Sequence, residues 1–187
     1  MTDSDGTLLQ NHTPETGGAW VKRAGANNAE IQSNKAKAIS TGARLYTNDA
    51  TPGAAEYDVI ADVNTGSGGS QLLARFQDTN NYYTFRHDGT QWLLQKKVGG
   101  VTTTLDSLTE GVPAGEKQWK LEIRDATKKG YLDGVEKVTS ADNALTSAGE
   151  VGLGTITNDT HDNFQADDVA ASGENAKMTP GNVRWQR

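Results

Sequence analysis

The stretch KQWKLEIR at positions 117–124 decides the fold of this chain. Its apolar residues Trp119, Leu121 and Ile123 alternate with polar and charged residues. A period of two is typical of an antiparallel β-strand with one face buried and the other in solvent. The segment YDVIADV at 57–63 repeats the pattern, with Tyr57, Val59, Ala61 and Val63 on one face.

The segments on either side predict further short strands separated by turns. We place them at 19–23, 30–33, 43–47, 71–76, 82–87, 91–98, 101–105, 131–138, 150–156 and 164–170. Asp88-Gly89, Gly99-Gly100 and Asp133-Gly134 predict tight reversals, because these residue types tolerate hairpin-turn backbones. About a dozen short strands are typical of an all-β sandwich or barrel. Helix signals are weak: residues 29–39 have partly helical spacing broken by polar gaps, and 140–148 could form a single turn.

Composition excludes several classes of protein. The 187 residues include no cysteine, which removes disulfides, thiolate metal sites and cysteine nucleophiles. A net charge of −6 argues against binding nucleic acid, and no apolar run approaches the length of about 20 residues that spans a bilayer. The first residues lack the features of a signal peptide, so we expect synthesis in the cytoplasm.

The alternation stops after residue 170, and we predict a boundary there. Residues 1–170 would form the sandwich, and residues 171–187 an irregular tail. The tail holds three basic residues and one acidic residue, so it carries +2 while the body carries −8. One interpretation is a disordered terminus. The other is a docking arm that orders on a partner through Lys177, Arg184, Trp185 and Arg187, with the tryptophan as anchor.

Five phrases along the chain resemble concanavalin A-like (laminin G-like) jelly-roll domains. They are TDSDGTLL (2–9), HTPETGGAW (12–20), ARFQDTNNYY (74–83), GEVGL (149–153) and DNFQADDV (162–169). The resemblance covers nearly all of residues 2–170 and implies an antiparallel two-sheet jelly-roll sandwich. Such domains occur in bacterial surface proteins and phage virions, and the fold serves enzymes, lectins and structural modules alike. Members usually have an aromatic-bearing strand before the Asp-Gly turn, which we expect here to be missing or reduced to a stub.

Glycoside hydrolysis is the enzymatic activity that the resemblance raises. Glucanases of this fold carry Glu-x-Asp-x-Glu or Glu-x-Asp-x-x-Glu on one strand, because hydrolysis needs two carboxylates across the sugar bond. The nearest match has Glu56 and Asp58, but Ile60 and Ala61 occupy the third position. Asp62 shares their face without a glutamate partner. No Gly-x-Ser-x-Gly motif accompanies the histidines either. We therefore predict that the protein is not an enzyme.

Sugar binding needs exposed aromatic rings and planar polar groups. Arg75, Tyr82, Arg86 and Trp92 could form such a patch on an open sheet face. The alternative is that Tyr82 and Trp92 pack in the core, because a sandwich places its few large residues inside.

No cofactor is required by any motif, but a structural calcium ion is possible. Asp159, Asp162 and Asn163 lie close together in the sequence, and calcium takes hard oxygen ligands. Related domains often hold such an ion. The alternative is that these are ordinary turn residues.

Three functions remain open. The favoured prediction is a phage virion structural protein, a capsid decoration or tail-associated protein that attaches to capsid or tail proteins and presents a carbohydrate-binding face. The alternative is a lectin-like module that binds cell-surface polysaccharide without a virion role. A hydrolase is the third. If the protein is a virion component, a homo-oligomer repeated around the particle would increase the avidity of binding.

Overall fold

The computed structural model describes residues 3–14, 17–156, 158–168 and 183–184, the last pair as backbone only. These residues form fifteen β-strands and one turn of 3₁₀ helix at Leu9–Asn11. Within the same ranges, no helix is long and apolar enough to cross a bilayer. The prediction of an all-β fold is confirmed.

The strands follow one another with short connections. Their bounds are β1 Trp20–Ala24, β2 Ala29–Gln32, β3 Lys35–Ala38, β4 Arg44–Asn48, β5 Tyr57–Asn64, β6 Gln71–Asp78, β7 Asn81–His87, β8 Gln91–Val98, β9 Val101–Thr109, β10 Lys117–Ile123, β11 Lys128–Leu132, β12 Val135–Ser140, β13 Glu150–Thr155, β14 Thr160–Asp168 and β15 Val183–Arg184.

Two antiparallel sheets make the sandwich. The first sheet has the order β1-β4-β13-β6-β7-β8-β9, and the second has the order β12-β11-β10-β5-β14-β3-β2. The short β15 also belongs to the second sheet, where it pairs with β14. Strands β6 to β9 form a continuous meander in the first sheet, so four neighbouring strands come from one unbroken stretch of sequence.

The core lies between the sheets and is built by the predicted alternation. Tyr57, Val59, Ala61 and Val63 of β5 are fully buried, as are the three apolar residues of β10 that follow the same pattern. From the first sheet, aromatic and aliphatic side chains of β6, β7, β8 and β13 complete this core. Burying apolar area of this kind is the main favourable term in folding.

Residues 29–39 do not form a helix. They form the hairpin of β2 and β3, with Ser33 and Asn34 at φ values of 51° and 64° in its turn. Asparagine tolerates this left-handed backbone, and two such residues make a tight hairpin turn. Residues 140–148 contain no helical turn either.

The expectation of a missing strand before the Asp-Gly turn is also wrong. β7 precedes Asp88-Gly89 and β11 precedes Asp133-Gly134, and both are complete strands that carry aromatic residues. Gly89 has a φ of 104° and Gly134 a φ of 79°, so each turn uses a backbone conformation that favours glycine. The predicted run 131–138 is therefore two strands joined by the second of these turns.

Candidate functional site

The strongest candidate site is the side of the first sheet that faces away from the core, which we call the outer face. Phe85 of β7 packs between Trp92 and Trp119 in the core, so its strand neighbours Thr84 and Arg86 point outward. The same alternation places Leu73 on the outer face beside them. Regular strand geometry thus presents side chains of β6 to β9 as a grid.

Strand pairing arranges this grid in three rows across β7, β8 and β9. The rows are Tyr82, Lys97 and Thr102; Thr84, Gln95 and Thr104; and Arg86, Leu93 and Ser107. β6 extends the last two rows with Leu73 and Gln71. Directly paired residues on one face have Cβ atoms about 5 Å apart. The outer face therefore combines hydroxyl and amide groups with an aromatic ring and cations.

An apolar cluster lies beneath these polar groups on the outer face. Leu45, Leu73 and Phe76 are buried there, separate from the main core, and Ala24 and Tyr82 pack against them. Leu73 is fully buried although it is on the solvent side of its sheet. Longer neighbouring side chains cover it, so the outer face has a packed apolar floor rather than an open polar surface.

Two aromatic rings form a stacked pair at one end of the face. The centroids of Phe76 and Tyr82 lie 5.6 Å apart with 23° between their planes. Arg23 lies 5.9 Å from the Phe76 centroid, and Lys97 lies 5.8 Å from that of Tyr82. Burial raises the pKa of the Tyr82 hydroxyl although the Arg86 charge opposes this, so the phenol stays neutral at physiological pH. This pair is a platform on which a flat ligand can stack.

An ionic network borders the platform. The Arg23 guanidinium donates to Glu150 at 2.5 and 2.6 Å and to the Thr47 hydroxyl at 2.8 Å. Thr47 in turn donates to Glu150 at 2.6 Å. Because all three groups bind one another, this network holds Arg23 above Phe76 and fixes that edge of the site.

The four predicted sugar-binding residues do not come together. Tyr82 and Arg86 lie on the outer face, whereas Arg75 and Trp92 are fully buried. For these two, the expectation of an open position is wrong. A β-bulge at Arg75, which has a φ of 48°, inverts the alternation of β6 and turns Phe76 outward instead.

Buried Arg75 and Trp92 have structural partners. The Arg75 guanidinium donates to the carbonyl oxygens of Ala55, at 2.9 Å, and Leu145. Trp92 stacks on Phe85 with centroids 5.1 Å apart, and its indole N–H donates to Glu110 at 2.6 Å. A sandwich with few large residues fills its core with them, which is why the tryptophan lies inside.

The proposed calcium ligands also diverge. Asp159 is fully buried, and its carboxylate accepts from the Ser70 hydroxyl at 2.7 Å and from the backbone of Gly66 at 3.1 Å. Asp162 and Asn163 lie within β14 rather than in a loop, and Asn163 donates to Asp62 at 2.6 Å. These three residues do not fit a calcium ion, because the Asp159 carboxylate is already held by donors of the chain and the Asn163 side chain is bound to Asp62.

No alternative metal cluster is visible in the described ranges, where no three His, Asp or Glu side chains converge. The three histidines have different surroundings. His12 bonds to Asp3, and His87 accepts from the Gly89 backbone at 3.0 Å. His161 is buried, and neither of its ring nitrogens has a hydrogen-bond partner among the described residues.

The carboxylates compared with the glucanase motif lie on the second sheet, away from the outer face. Asp58 accepts from Arg124 at 2.9 Å, and Glu56 accepts from the backbone of Asp125 at 3.0 Å. Asp62 is held by Asn163. Each carboxylate is therefore engaged by donors of the protein itself.

The predicted docking residues are mostly beyond what the structure describes. Lys177, Trp185 and Arg187 lie outside the described residues, and Arg184 is described by its backbone alone. That backbone pairs with Gln165, and Val183 pairs with Ala166, both in β14. Residues 183–184 of the tail thus pair with β14 of the second sheet, a contact that sequence alternation did not indicate.

Comparison with known proteins supports the fold. No family model and no curated protein sequence matches the chain. Among solved structures, the carbohydrate binding module CBM66 from Bacillus subtilis matches with a TM-score of 0.70 and 17% identity over 82% of this chain and 98% of that one. The Ca²⁺- and mannose-bound exoplasmic/lumenal domain of VIP36 gives 0.60 and 10% identity over 90% and 89%. A β-glucanase from Bacillus licheniformis gives 0.54 and 15% over the full length of both.

The chain therefore has the concanavalin A-like jelly-roll fold shared by lectins, carbohydrate-binding modules and glucanases. Likeness at these identities concerns the fold, and the function has to be argued from the residues of the site.

Proposed function

We propose that the protein is a carbohydrate-binding module whose ligand lies across the outer face of the first sheet. The observation that carries the proposal is the stacked pair of Phe76 and Tyr82 beside rows of hydroxyl and amide side chains. A sugar ring offers an apolar face for stacking and hydroxyl groups for hydrogen bonding, and the outer face provides both on rigid strands. The fold that this chain shares with the module from Bacillus subtilis supports the same conclusion.

The ligand would contact three kinds of group. Tyr82 supplies the ring on which a sugar would stack, because Tyr82 is only half-buried. Phe76, which is 2% exposed, packs against that ring and supports it. Gln95 presents polar atoms in the next row, where its partner Thr84 is buried and donates to Gln71 at 3.0 Å. Arg23 and Lys97 border the platform on the faces of the two rings. Binding without bond cleavage is proposed, since the Asp58 carboxylate is already paired with Arg124.

The test is a glycan array followed by calorimetry on the best ligand with a Tyr82→Ala variant. We expect the variant to bind at least about tenfold more weakly, equivalent to about 1.4 kcal/mol of lost stacking. Tyr131→Ala is the matched control, because Tyr131 also lies half-buried under a lysine, 4.3 Å from Lys120, but in the second sheet. Binding by the wild type that Tyr82→Ala leaves intact would place the site elsewhere, and no ligand on a broad array would argue against the function.

A second proposal is that the protein attaches to a virus particle as a decoration or tail-associated protein. The charge division favours it, with −8 on residues 1–170 and +2 on residues 171–187. A basic segment with a tryptophan can bind an acidic or apolar capsid or tail surface, while the outer face remains available to polysaccharide. Such a protein would be made in the host cytoplasm and located in the virion.

A further inference from the structure

Arg86 lies in an end row of the outer face, next to the last residue of β7. It pairs directly with Gln71 on one side and Leu93 on the other, and Tyr82 and Thr84 lie on its own strand. Leu93 is 7% exposed and Leu73, one row away, is fully buried. Arg86 therefore has a buried leucine on one side and the amide side chain of Gln71 on the other.

No acidic or carbonyl group of the described residues engages this guanidinium. Among the described residues, Arg86 forms no ion pair or hydrogen bond, and its Nε atom is buried without a partner. The other cations of the outer face differ, since Arg23 binds Glu150 and Lys97 donates to the Thr79 carbonyl at 2.8 Å. A charged group without an acceptor costs folding free energy, and a ligand that pairs with the terminal nitrogens of the guanidinium offsets part of that cost.

The chemistry of the missing acceptor follows from the shape of the side chain. A guanidinium presents a planar fork of N–H donors that matches the two oxygens of a carboxylate. Apolar neighbours such as Leu93 strengthen that attraction, because they exclude water and lower the local dielectric constant. A neutral hydroxyl would fill only part of the fork.

The spacing along β7 fits a ligand that runs along the strand. The Cα atoms of Tyr82 and Arg86 are four residues apart, which corresponds to about 13 Å at the 3.3 Å rise of a strand. The two side chains approach more closely than this, because the Arg86 charge acts on the Tyr82 hydroxyl. An oligosaccharide of two units that follows the strand can stack on Tyr82 and reach Arg86.

We propose that the outer face binds an acidic polysaccharide and that a uronate carboxylate of the ligand pairs with Arg86. The proposal rests on the function proposed above and specifies its ligand class. It assigns Tyr82 to stacking and Arg86 to charge recognition on the same strand.

Calorimetry with oligogalacturonate and with its carboxyl-reduced, neutral counterpart tests the proposal. We expect the wild type to bind the acidic oligosaccharide at least tenfold more tightly than the reduced one. Arg86→Gln should lose at least tenfold in affinity for the acidic ligand and leave the reduced ligand unaffected. The affinity of Arg86→Lys for the acidic ligand should fall between those of the wild type and Arg86→Gln, because a lysine keeps the charge without the planar fork of donors. Lys129→Gln removes one positive charge from the second sheet and should bind as the wild type does.

Sulfated dextran and plain dextran separate a carboxylate from other anions, and alginate oligosaccharides extend the uronates tested. Equal binding of the reduced and acidic ligands would overturn the inference and leave the proposed function standing. So would equal losses in Arg86→Gln and Lys129→Gln, or preference for sulfated dextran over every uronate. Failure to bind any of these glycans, together with a glycan array that shows no ligand, would contradict both this inference and the proposed carbohydrate-binding function. Thermal unfolding of Arg86→Gln, which we expect at or above the wild-type temperature because the unsatisfied charged donor is removed, shows that lost binding is not lost folding.

Discussion

His161 is an imidazole enclosed in the core without a hydrogen-bond partner among the described residues. Burial lowers the pKa of this histidine to about 3 from an ordinary value of 6.5. The folded protein thus keeps the ring neutral at a pH where the unfolded chain already binds a proton. The contribution of neutral His161 to the free energy of unfolding is therefore fully present above about pH 6.5, and it is lost as the pH falls from there toward 3.

His161→Leu should remove this sensitivity to acid. Between pH 7.5 and pH 5, we expect the wild type to lose about 2 kcal/mol more unfolding free energy than the variant, at 1.36 kcal/mol per pKa unit. Urea denaturation of both proteins at pH 7.5, 6 and 5 measures the difference. Other titrating groups are common to both proteins and cancel. Parallel pH profiles for the two would show that His161 is protonated or paired in the folded state.

At the scale of secondary-structure elements, the two sheets are in close contact where β11 passes Phe85. A Cβ atom added to Gly130 would lie 2.3 Å from a carbon of the Phe85 ring. That ring is stacked on Trp92 and touches Trp119, so it has little room to move. The glycine sets the spacing between the sheets at this point.

Gly130→Ala should therefore destabilise the sandwich by about 1–3 kcal/mol through overpacking. A thermal unfolding scan measures the effect as a lower Tm. Gly111→Ala is the control, because an added Cβ there meets no atom within 4 Å and its φ is not in the left-handed region. An unchanged Tm in Gly130→Ala would mean that the sheets can separate locally without cost.

Sequence patterns predicted most of these elements because period-two alternation is a local property. β5 and β10 follow their patterns almost residue for residue. β3 (Lys35–Ala38) was missed, since its buried residues are only alanines. The bulge at Arg75 was missed too, because it is set by pairing with strands far along the chain.

Two of the four predicted site residues lie on the outer face, because their placement depends only on local alternation. Tyr82 and Arg86 could be assigned to one face from their spacing alone. Arg75 could not, because one bulge reversed its direction, and Trp92 could not, because alternation does not say which face is buried. Lys97 and Gln95 were not predicted, since their place beside Tyr82 and Thr84 depends on the register between β7 and β8.

At the scale of the whole molecule, the tail and the body are separable in function if the attachment proposal holds. Removing residues 171–187 should stop the protein from co-sedimenting with virus particles assembled in the same cells, because the basic segment is lost. The sandwich should still unfold cooperatively, since the only strand pairing that the deletion removes from the described residues is the two-residue pairing of β15 with β14. Particle sedimentation and circular dichroism of both forms measure the two effects.

A truncated protein that still co-sediments would show that the tail is not the attachment segment. A full-length protein that never co-sediments would contradict the virion role while leaving glycan binding on the outer face untouched.

The strand order also determines when the protein can finish folding during synthesis. β13 lies between β4 and β6, and β14 lies between β5 and β3, so strands made late occupy interior places in both sheets. The β6–β9 meander can form early from neighbouring hairpins, since its loop-closure cost is small. Until residues 150–168 emerge from the ribosome, however, β4, β6, β5 and β3 each lack a neighbour. A stalled chain would expose these unpaired edges to other chains, which makes translation through this last stretch the step most prone to aggregation.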